Sequence, residues 1–188
     1  MQKKMNIRFG IIALLIVVAA LSRLLPHPYN FTPIGAMGLF GAAHFSKRYL
    51  AFVVPFAAMW LSDLFLNNVV YAKMYPEYYT DFQWLGSAPV YFSFALIIML
   101  GFVLLRKVRV LNVLVASLSA SALFFLITNF AVWMGSMAYP QNIVGLMTCY
   151  AAGLPFFGNT LLGDLFYSGV LFGAFELIKV RFPRLQQA

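Results

Sequence analysis

Residues 110–133 read VLNVLVASLSASALFFLITNFAVW, a run of 24 residues without an Asp, Glu, Lys or Arg. An α-helix needs about 20 mostly apolar residues to cross the hydrocarbon core of a bilayer. Five other apolar stretches have a similar character, so the sequence predicts an all-α membrane protein with six transmembrane helices in one domain, residues 1–188. The expected spans are about 8–25, 33–45, 49–66, 89–105, 110–133 and 156–180.

The composition of the whole chain supports this class. Of its 188 residues, 63% are hydrophobic and only 10% are charged, against about 25% charged in an ordinary soluble domain. A soluble domain of this size could not bury so much apolar surface, and a disordered chain would be less hydrophobic. The single cysteine, Cys149, excludes a disulfide within the chain.

The distribution of positive charge predicts the orientation. Of the thirteen Lys and Arg residues, only Arg23 and Lys73 fall in the loops expected outside the cell. The positive-inside rule therefore places both termini in the cytoplasm, and the net charge of +8 needs no nucleic acid to explain it. A secretory signal cleaved after Ala20 would leave five spans and break this alternation. The eleven residues expected inside are Lys3, Lys4, Arg8, Lys47, Arg48, Arg106, Lys107, Arg109, Lys179, Arg181 and Arg184.

Two loops on the expected outer side are unusual. Residues 67–88 are polar and rich in Tyr, which is typical of an interfacial aromatic belt. Residues 134–155 carry no charge at all, so we expect a lid or re-entrant segment with a short helix rather than a solvated linker.

A short internal similarity joins the two halves of the chain. Residues 61–65 (LSDLF) resemble residues 162–166 (LGDLF), each in the third helix of a three-helix half. Such an arrangement indicates a possible 3+3 inverted repeat, which is a frequent plan among transporters. Chance similarity between Leu- and Phe-rich helices remains the alternative.

Two carboxylates lie well inside the expected spans, both in the outer half of the membrane. An acid at this depth is costly and usually faces a partner or a cavity. Amide, hydroxyl and aromatic groups expected at the same level suit a small polar solute. Alternatively, the two acids bond to neighbouring helices and only fix their packing. The candidate ligand-binding residues are Asp63, Asp164, Asn129, Asn159, Trp60, Trp133, His27, Asn30, Thr128 and Tyr167.

Pairs of small residues four apart permit close helix contact. They occur at Gly38/Ala42, Ala116/Ala120 and Gly169/Gly173. We expect contacts within the bundle, with a surface for a partner as the alternative.

Enzymatic motifs are missing from the sequence, so we expect neither an enzyme nor a bound cofactor or metal. No phosphate-binding loop, dinucleotide fingerprint or HExxH zinc motif occurs. Asp63 with the Gly163-Asp164 pair faintly resembles the paired acids of intramembrane aspartyl proteases, but Leu162 stands where those enzymes have a glycine.

The chain resembles an uncharacterised bacterial family of membrane transport proteins over nearly its whole length. The resemblance is most specific in residues 26–36, 125–133 and 154–164. The six spans, and an Asn followed by Gly-Asp in the sixth, more remotely resemble the substrate-binding S components of energy-coupling-factor (ECF) vitamin transporters. That resemblance implies a bacterial inner-membrane protein that binds a vitamin or precursor from outside. It also implies a transmembrane coupling subunit and ATPases as partners. One departure is Val17, which follows Ala13 where S components carry an Ala-x-x-x-Ala contact.

Three functions are consistent with these patterns. The first is uptake of a small solute bound on the extracytoplasmic side, as in an S component. The second is a proton-coupled secondary carrier that uses Asp63 and Asp164. The third is a membrane scaffold or assembly protein without transport activity.

Overall fold

A computed structural model of the protein describes residues 2–182, with side chains from Ile7 onward. This part of the chain is helical and contains no β-strand, which confirms the all-α prediction. The helix that begins at Arg48 continues beyond Phe65 through a π-helical turn, Leu66–Tyr71, and a last turn, Ala72–Met74. The six main helices are α1 (Gln2–Ser22), α2 (Ile34–His44), α3 (Arg48–Phe65), α4 (Ala88–Leu104), α5 (Val110–Gly135) and α6 (Ile143–Arg181).

Within the described residues, three helical segments are long and apolar enough to cross a membrane: Arg48–Met74, Val110–Gly135 and Ile143–Arg181. Three more apolar segments are shorter, namely Ile7–Ser22, Ile34–His44 and Ala88–Leu104. These lengths indicate a membrane protein, whereas the arrangement with six spans stays a prediction.

The side chains are distributed as lipid surroundings require. Large apolar residues point outward on every long helix, including Leu14, Val53, Phe92, Leu126 and Leu162, each more than half exposed. Small hydroxyl side chains lie inside instead. The buried serines are Ser62, Ser93, Ser117, Ser121 and Ser168. Isolated apolar residues are common on soluble surfaces, but a continuous apolar exterior is not.

Helix α2 forms the centre of the bundle. It has only 11 residues and contacts each of the other five helices. Small residues permit this close packing, because a Cβ on Gly38 would lie 2.9 Å from the Phe94 ring of α4. Ala42 also packs closely on α4, because a Cβ on Gly101 would lie 2.7 Å from the Ala42 Cβ. The small pair of α2 therefore makes contacts within the bundle, as the sequence predicts.

The two ends of the bundle differ in charge. We call the end where α2 ends and α3 begins the basic end, because Lys47, Arg48 and the 105–109 loop lie there. The opposite end, here called the far end, carries Arg23 and Lys73. The side chains of Lys3 and Lys4 and all of Arg184, which entered the charge pattern, lie outside the described residues.

Helix α6 begins earlier than the sequence predicts. We expected a lid or re-entrant segment with a short helix over residues 134–155, separate from the sixth span. The structure instead has one continuous helix that starts at Ile143 and includes Pro155. The Asn142 side chain starts it by accepting a hydrogen bond from the Gly145 N–H at 2.9 Å. Pro155 removes one backbone hydrogen bond, which packing against α5 along the rest of the helix offsets. Only seven residues, 136–142, then connect α5 to α6.

Candidate functional site

A cavity of about 470 Å³ lies between α5, α6 and the segment before α2, at the far end of the bundle. Its volume falls in the range of small-molecule sites. The wall combines aromatic rings with a few amide and hydroxyl groups. The lining residues are Tyr29, Asn30, Val90, Phe124, Phe125, Thr128, Asn129, Val132, Tyr139, Cys149, Ala152, Gly153, Phe156, Phe157 and Thr160.

The two threonine hydroxyl groups of the wall use their hydrogens within their own helices. The hydroxyl of Thr128 donates to the Phe124 carbonyl oxygen at 2.8 Å, and that of Thr160 donates to the Phe156 carbonyl oxygen at 3.2 Å. A hydroxyl has one hydrogen to donate but two lone pairs to accept with. Both threonines therefore remain available as hydrogen-bond acceptors.

Asn129 contributes an amide whose position is set by α6. Its Nδ2 donates to the Phe125 carbonyl oxygen at 2.9 Å, which leaves Oδ1 to accept. Gly153 of α6 makes room for this side chain, because a Cβ there would overlap Oδ1. The Phe125 ring packs on Phe157 at 4.9 Å between centroids, so one wall of the cavity is aromatic.

Asp164 lies in the bundle core and does not line this cavity. Its side chain is buried, and Ser121 of α5 donates to Oδ2 at 2.6 Å. The backbone N–H groups of Gly35 and Ala36 also donate to the carboxylate. The N-cap position of α2 is Pro33, which offers no side-chain cap. Asp164 therefore caps α2 from another helix, where the helix dipole favours a negative charge.

Asp63 forms a second, separate buried network. Arg23 pairs with it at 2.6 Å between Nη2 and Oδ1, and the Tyr91 hydroxyl donates to Oδ2 at 2.8 Å. Arg23 also donates to the Ser62 hydroxyl. Gly86 packs directly against this network, since a Cβ on Gly86 would lie 2.5 Å from Asp63 Oδ2. The sequence pattern did not predict this pair, although Arg23 is one of only two basic residues expected on the outer side, which favours a nearby counter-ion.

The segment from Tyr75 to Ser87 covers that ion pair and is fixed to α3. The Trp60 indole donates to the Trp84 carbonyl oxygen at 2.9 Å. Asn68 pairs with the backbone of Gln83 in both directions, at 3.0 Å and 2.8 Å. Partial burial, followed by the nearby Tyr71 and Asp63, raises the pKa of the Tyr79 hydroxyl, which keeps this side chain neutral.

Several other predicted residues bond within the far end. Asn159 Nδ2 donates to the Tyr29 carbonyl oxygen at 3.0 Å, and the Ser22 hydroxyl donates to the Tyr167 hydroxyl oxygen at 2.9 Å. His27 lies 2.6 Å from the backbone carbonyl oxygen two residues before it. The first contact holds the segment before α2 against α6, the second joins α1 to α6, and the third is local to the segment before α2.

Trp133 lies near the end of α5 and bonds to the short α5–α6 connection. Its indole donates to the Pro140 carbonyl oxygen at 3.0 Å, and Gln141 donates to the Trp133 carbonyl oxygen at 2.7 Å. Like the Trp60 indole, it therefore fixes a turn and does not line the cavity.

Three of the ten predicted residues line the cavity together: Asn30, Thr128 and Asn129. The other seven lie at the same end or in the core, and a ligand contact for any of the ten stays a prediction. The phenylalanines of the wall were missed because a sequence pattern does not distinguish a lipid-facing ring from a cavity-facing one. Within residues 7–182, no group of three or more His, Cys, Asp or Glu side chains is arranged to hold a metal.

Comparison with protein families gives a match over residues 3–185. The chain belongs to the DUF6580 family, which is described as a family of unknown function. No curated protein and no solved structure matches the chain. Family membership therefore supplies no ligand or reaction, and a function has to be argued from the cavity and the buried networks.

Proposed function

We propose that this chain is a membrane protein that binds a small solute in the far-end cavity and delivers it inward. In this proposal the six helices all span the membrane, both termini are cytoplasmic, and the cavity opens to the extracytoplasmic side. The charges of the described loops support that orientation, because the basic end collects nearly all of the Lys and Arg side chains.

The cavity is the observation on which the proposal rests. It has the volume of a ligand site and combines aromatic faces with convergent polar groups. The space is an open cleft beside Asn129 and Thr128, so a small molecule can enter it from the far end of the bundle. The networks of Asp63 and Asp164 then serve as the rigid frame beneath the cavity, not as its wall.

The lining also suggests the kind of solute. Among the described residues, no Lys, Arg, His, Asp or Glu lines the cavity. A buried charge without a partner is expensive, so we expect an uncharged molecule or one whose charge stays in water. Accepting oxygens on Asn129, Thr128 and Thr160 favour a solute with N–H or O–H donors, and the phenylalanines favour a flat ring. A neutral heteroaromatic vitamin or precursor has these properties.

An S-component-like mechanism fits this picture. The protein would then capture the solute and pass it inward with a transmembrane coupling subunit and ATPases. The sequence has no nucleotide-binding motif, so ATP hydrolysis would come from a separate chain.

A binding screen tests the proposal directly. The thermal unfolding of the detergent-purified chain is measured in the presence of neutral heteroaromatic vitamins and precursors. Anionic compounds of similar size serve as the matched control set. A ligand that binds only the folded state raises Tm. We expect at least one neutral compound to raise Tm in a saturable way. Stabilisation by anionic compounds alone would contradict the inferred solute class, and no stabilisation across both sets would favour a scaffold role.

A proton-coupled carrier is the second candidate, and one observation favours it. Asp164 is buried without a basic partner among the described side chains, unlike Asp63. A buried carboxyl group of this kind inside a membrane-spanning helix is typical of the proton relays of pumps and transporters. The test is solute-dependent proton uptake into proteoliposomes. Uptake that persists in Asp164→Asn, with Tm unchanged, would eliminate this candidate.

A further inference from the structure

A second concave surface lies on the side of the bundle, between the first turns of α5 and the last turns of α6. It is a groove of about 310 Å³ at the basic end, and its floor is the Ser117–Ser168 hydrogen bond of 2.8 Å. Apolar side chains such as Val113, Leu165 and Phe172 form its walls. The far-end cavity shares no residue with it.

The groove exists because one pair of small residues is not used inside the bundle. A Cβ on Gly169 or Gly173 would have no atom within 4 Å apart from its own helix backbone. In contrast, Ala116 and Ala120 of α5 are fully buried. The two glycines therefore leave an open strip along α6 that faces the hydrocarbon.

The mouth of the groove carries positive charge. Arg109 lines it directly, and the exposed side chains of Arg106 and Lys107 lie in the same loop. Glu176 also lines the groove, but Lys179 pairs with it at 2.5 Å. The mouth of the groove, where the apolar strip meets the interface with water, therefore has a net positive charge.

The dimensions favour a hydrocarbon chain over a protein helix. Along α6 the groove extends from Leu165 to Glu176, about 17 Å at the helical rise. Its volume divided by this length gives a mean cross-sectional area of about 18 Å². An α-helix with side chains is about 10 Å in diameter and therefore occupies a much larger area. A single acyl chain can lie in this space, and a transmembrane helix cannot.

We propose that this groove binds an anionic glycerophospholipid of the cytoplasmic leaflet. One acyl chain lies along Gly169 and Gly173, and the headgroup phosphate accepts hydrogen bonds from Arg109. An arginine fork matches a phosphate better than a lysine does, and anionic lipids are concentrated where positive loops lie. The site is independent of the solute cavity and of the function proposed for it.

Native mass spectrometry of the full chain in detergent tests this site. The delipidated protein is offered phosphatidylglycerol or phosphatidylcholine with identical acyl chains, and retained lipid is counted. Both lipids carry the phosphate, but only phosphatidylcholine adds a cationic choline. Because the basic mouth of the groove repels that cation, we expect retention of phosphatidylglycerol over phosphatidylcholine by about tenfold. Arg109→Gln should remove that preference, while Arg106→Gln, which alters a charge outside the groove lining, should keep it.

Filling the groove tests the acyl chain separately. Gly173→Leu should reduce retention of both lipids, whereas Gly158→Leu, at another open glycine of α6, should not. If Gly173→Leu fails to fold, Leu114→Trp fills the groove from α5 instead. Equal retention of the two lipids by the wild-type chain, or unchanged retention in both filled variants, would overturn the proposal.

Discussion

The Asp164 carboxylate of α6 accepts a hydrogen bond from the backbone N–H of Gly35, in the first turn of α2. Because Pro33 leaves α2 without a cap of its own, this acid supplies the acceptor that the helix lacks. The contact joins the most buried helix to the longest one. It also gives a structural reason for a carboxylate inside the bundle with no basic partner among the described residues.

The first prediction concerns this contact. Gly35→Ala would force a Cβ onto the carboxylate of Asp164 and should lower the free energy of unfolding by about 2 kcal/mol. Gly10→Ala is the matched control, because a Cβ at that position of α1 meets nothing within 4 Å. Thermal unfolding in detergent measures both, and equal Tm values for the two variants would contradict the cap.

The second prediction concerns the Arg23–Asp63 ion pair. Removing one partner leaves the other charge buried, so Arg23→Met should destabilise the fold by about 3 kcal/mol. Asp63→Asn in the same background should restore part of that loss, because the unpaired charge is then gone. A double-mutant cycle on unfolding measures the coupling. Purely additive effects would show that the pair adds nothing.

The third prediction tests the cavity as the solute site. Ala152 and Ala151 are neighbouring exposed positions of α6, but only Ala152 lines the cavity. Ala152→Trp should therefore abolish the Tm shift caused by a bound solute, while Ala151→Trp should preserve it. Isothermal titration with the same solute provides the affinity. A solute that binds both variants equally well occupies some other place.

The fourth prediction concerns orientation. In a Cys149→Ala background, Lys73→Cys should react with a membrane-impermeant maleimide on intact cells, because Lys73 is exposed at the far end. Lys107→Cys, exposed at the basic end, should react only after the membrane is permeabilised. The opposite labelling pattern would invert the topology and place the cavity on the cytoplasmic side.

Local features of the structure were predictable because short-range properties of the chain determine them. Pro33 and Pro89 mark helix starts, and α2 and α4 begin within a residue of them. Apolar runs predict helices in a membrane since backbone groups there must bond within the segment. The sequence pattern divided residues 134–180 into a short helix and a separate sixth span, whereas packing against α5 keeps α6 continuous through Pro155.

The sequence by itself determined that this is an all-helical chain of apolar segments, with its basic residues concentrated in alternate loops and two acids among apolar residues. Only the tertiary structure decided what those acids do. Asp63 pairs with Arg23, Asp164 caps α2, and the cavity forms beside Asn129 instead. The reason is physical. Hydropathy and charge are properties of each segment alone, whereas the partner of a buried polar group depends on which helices meet.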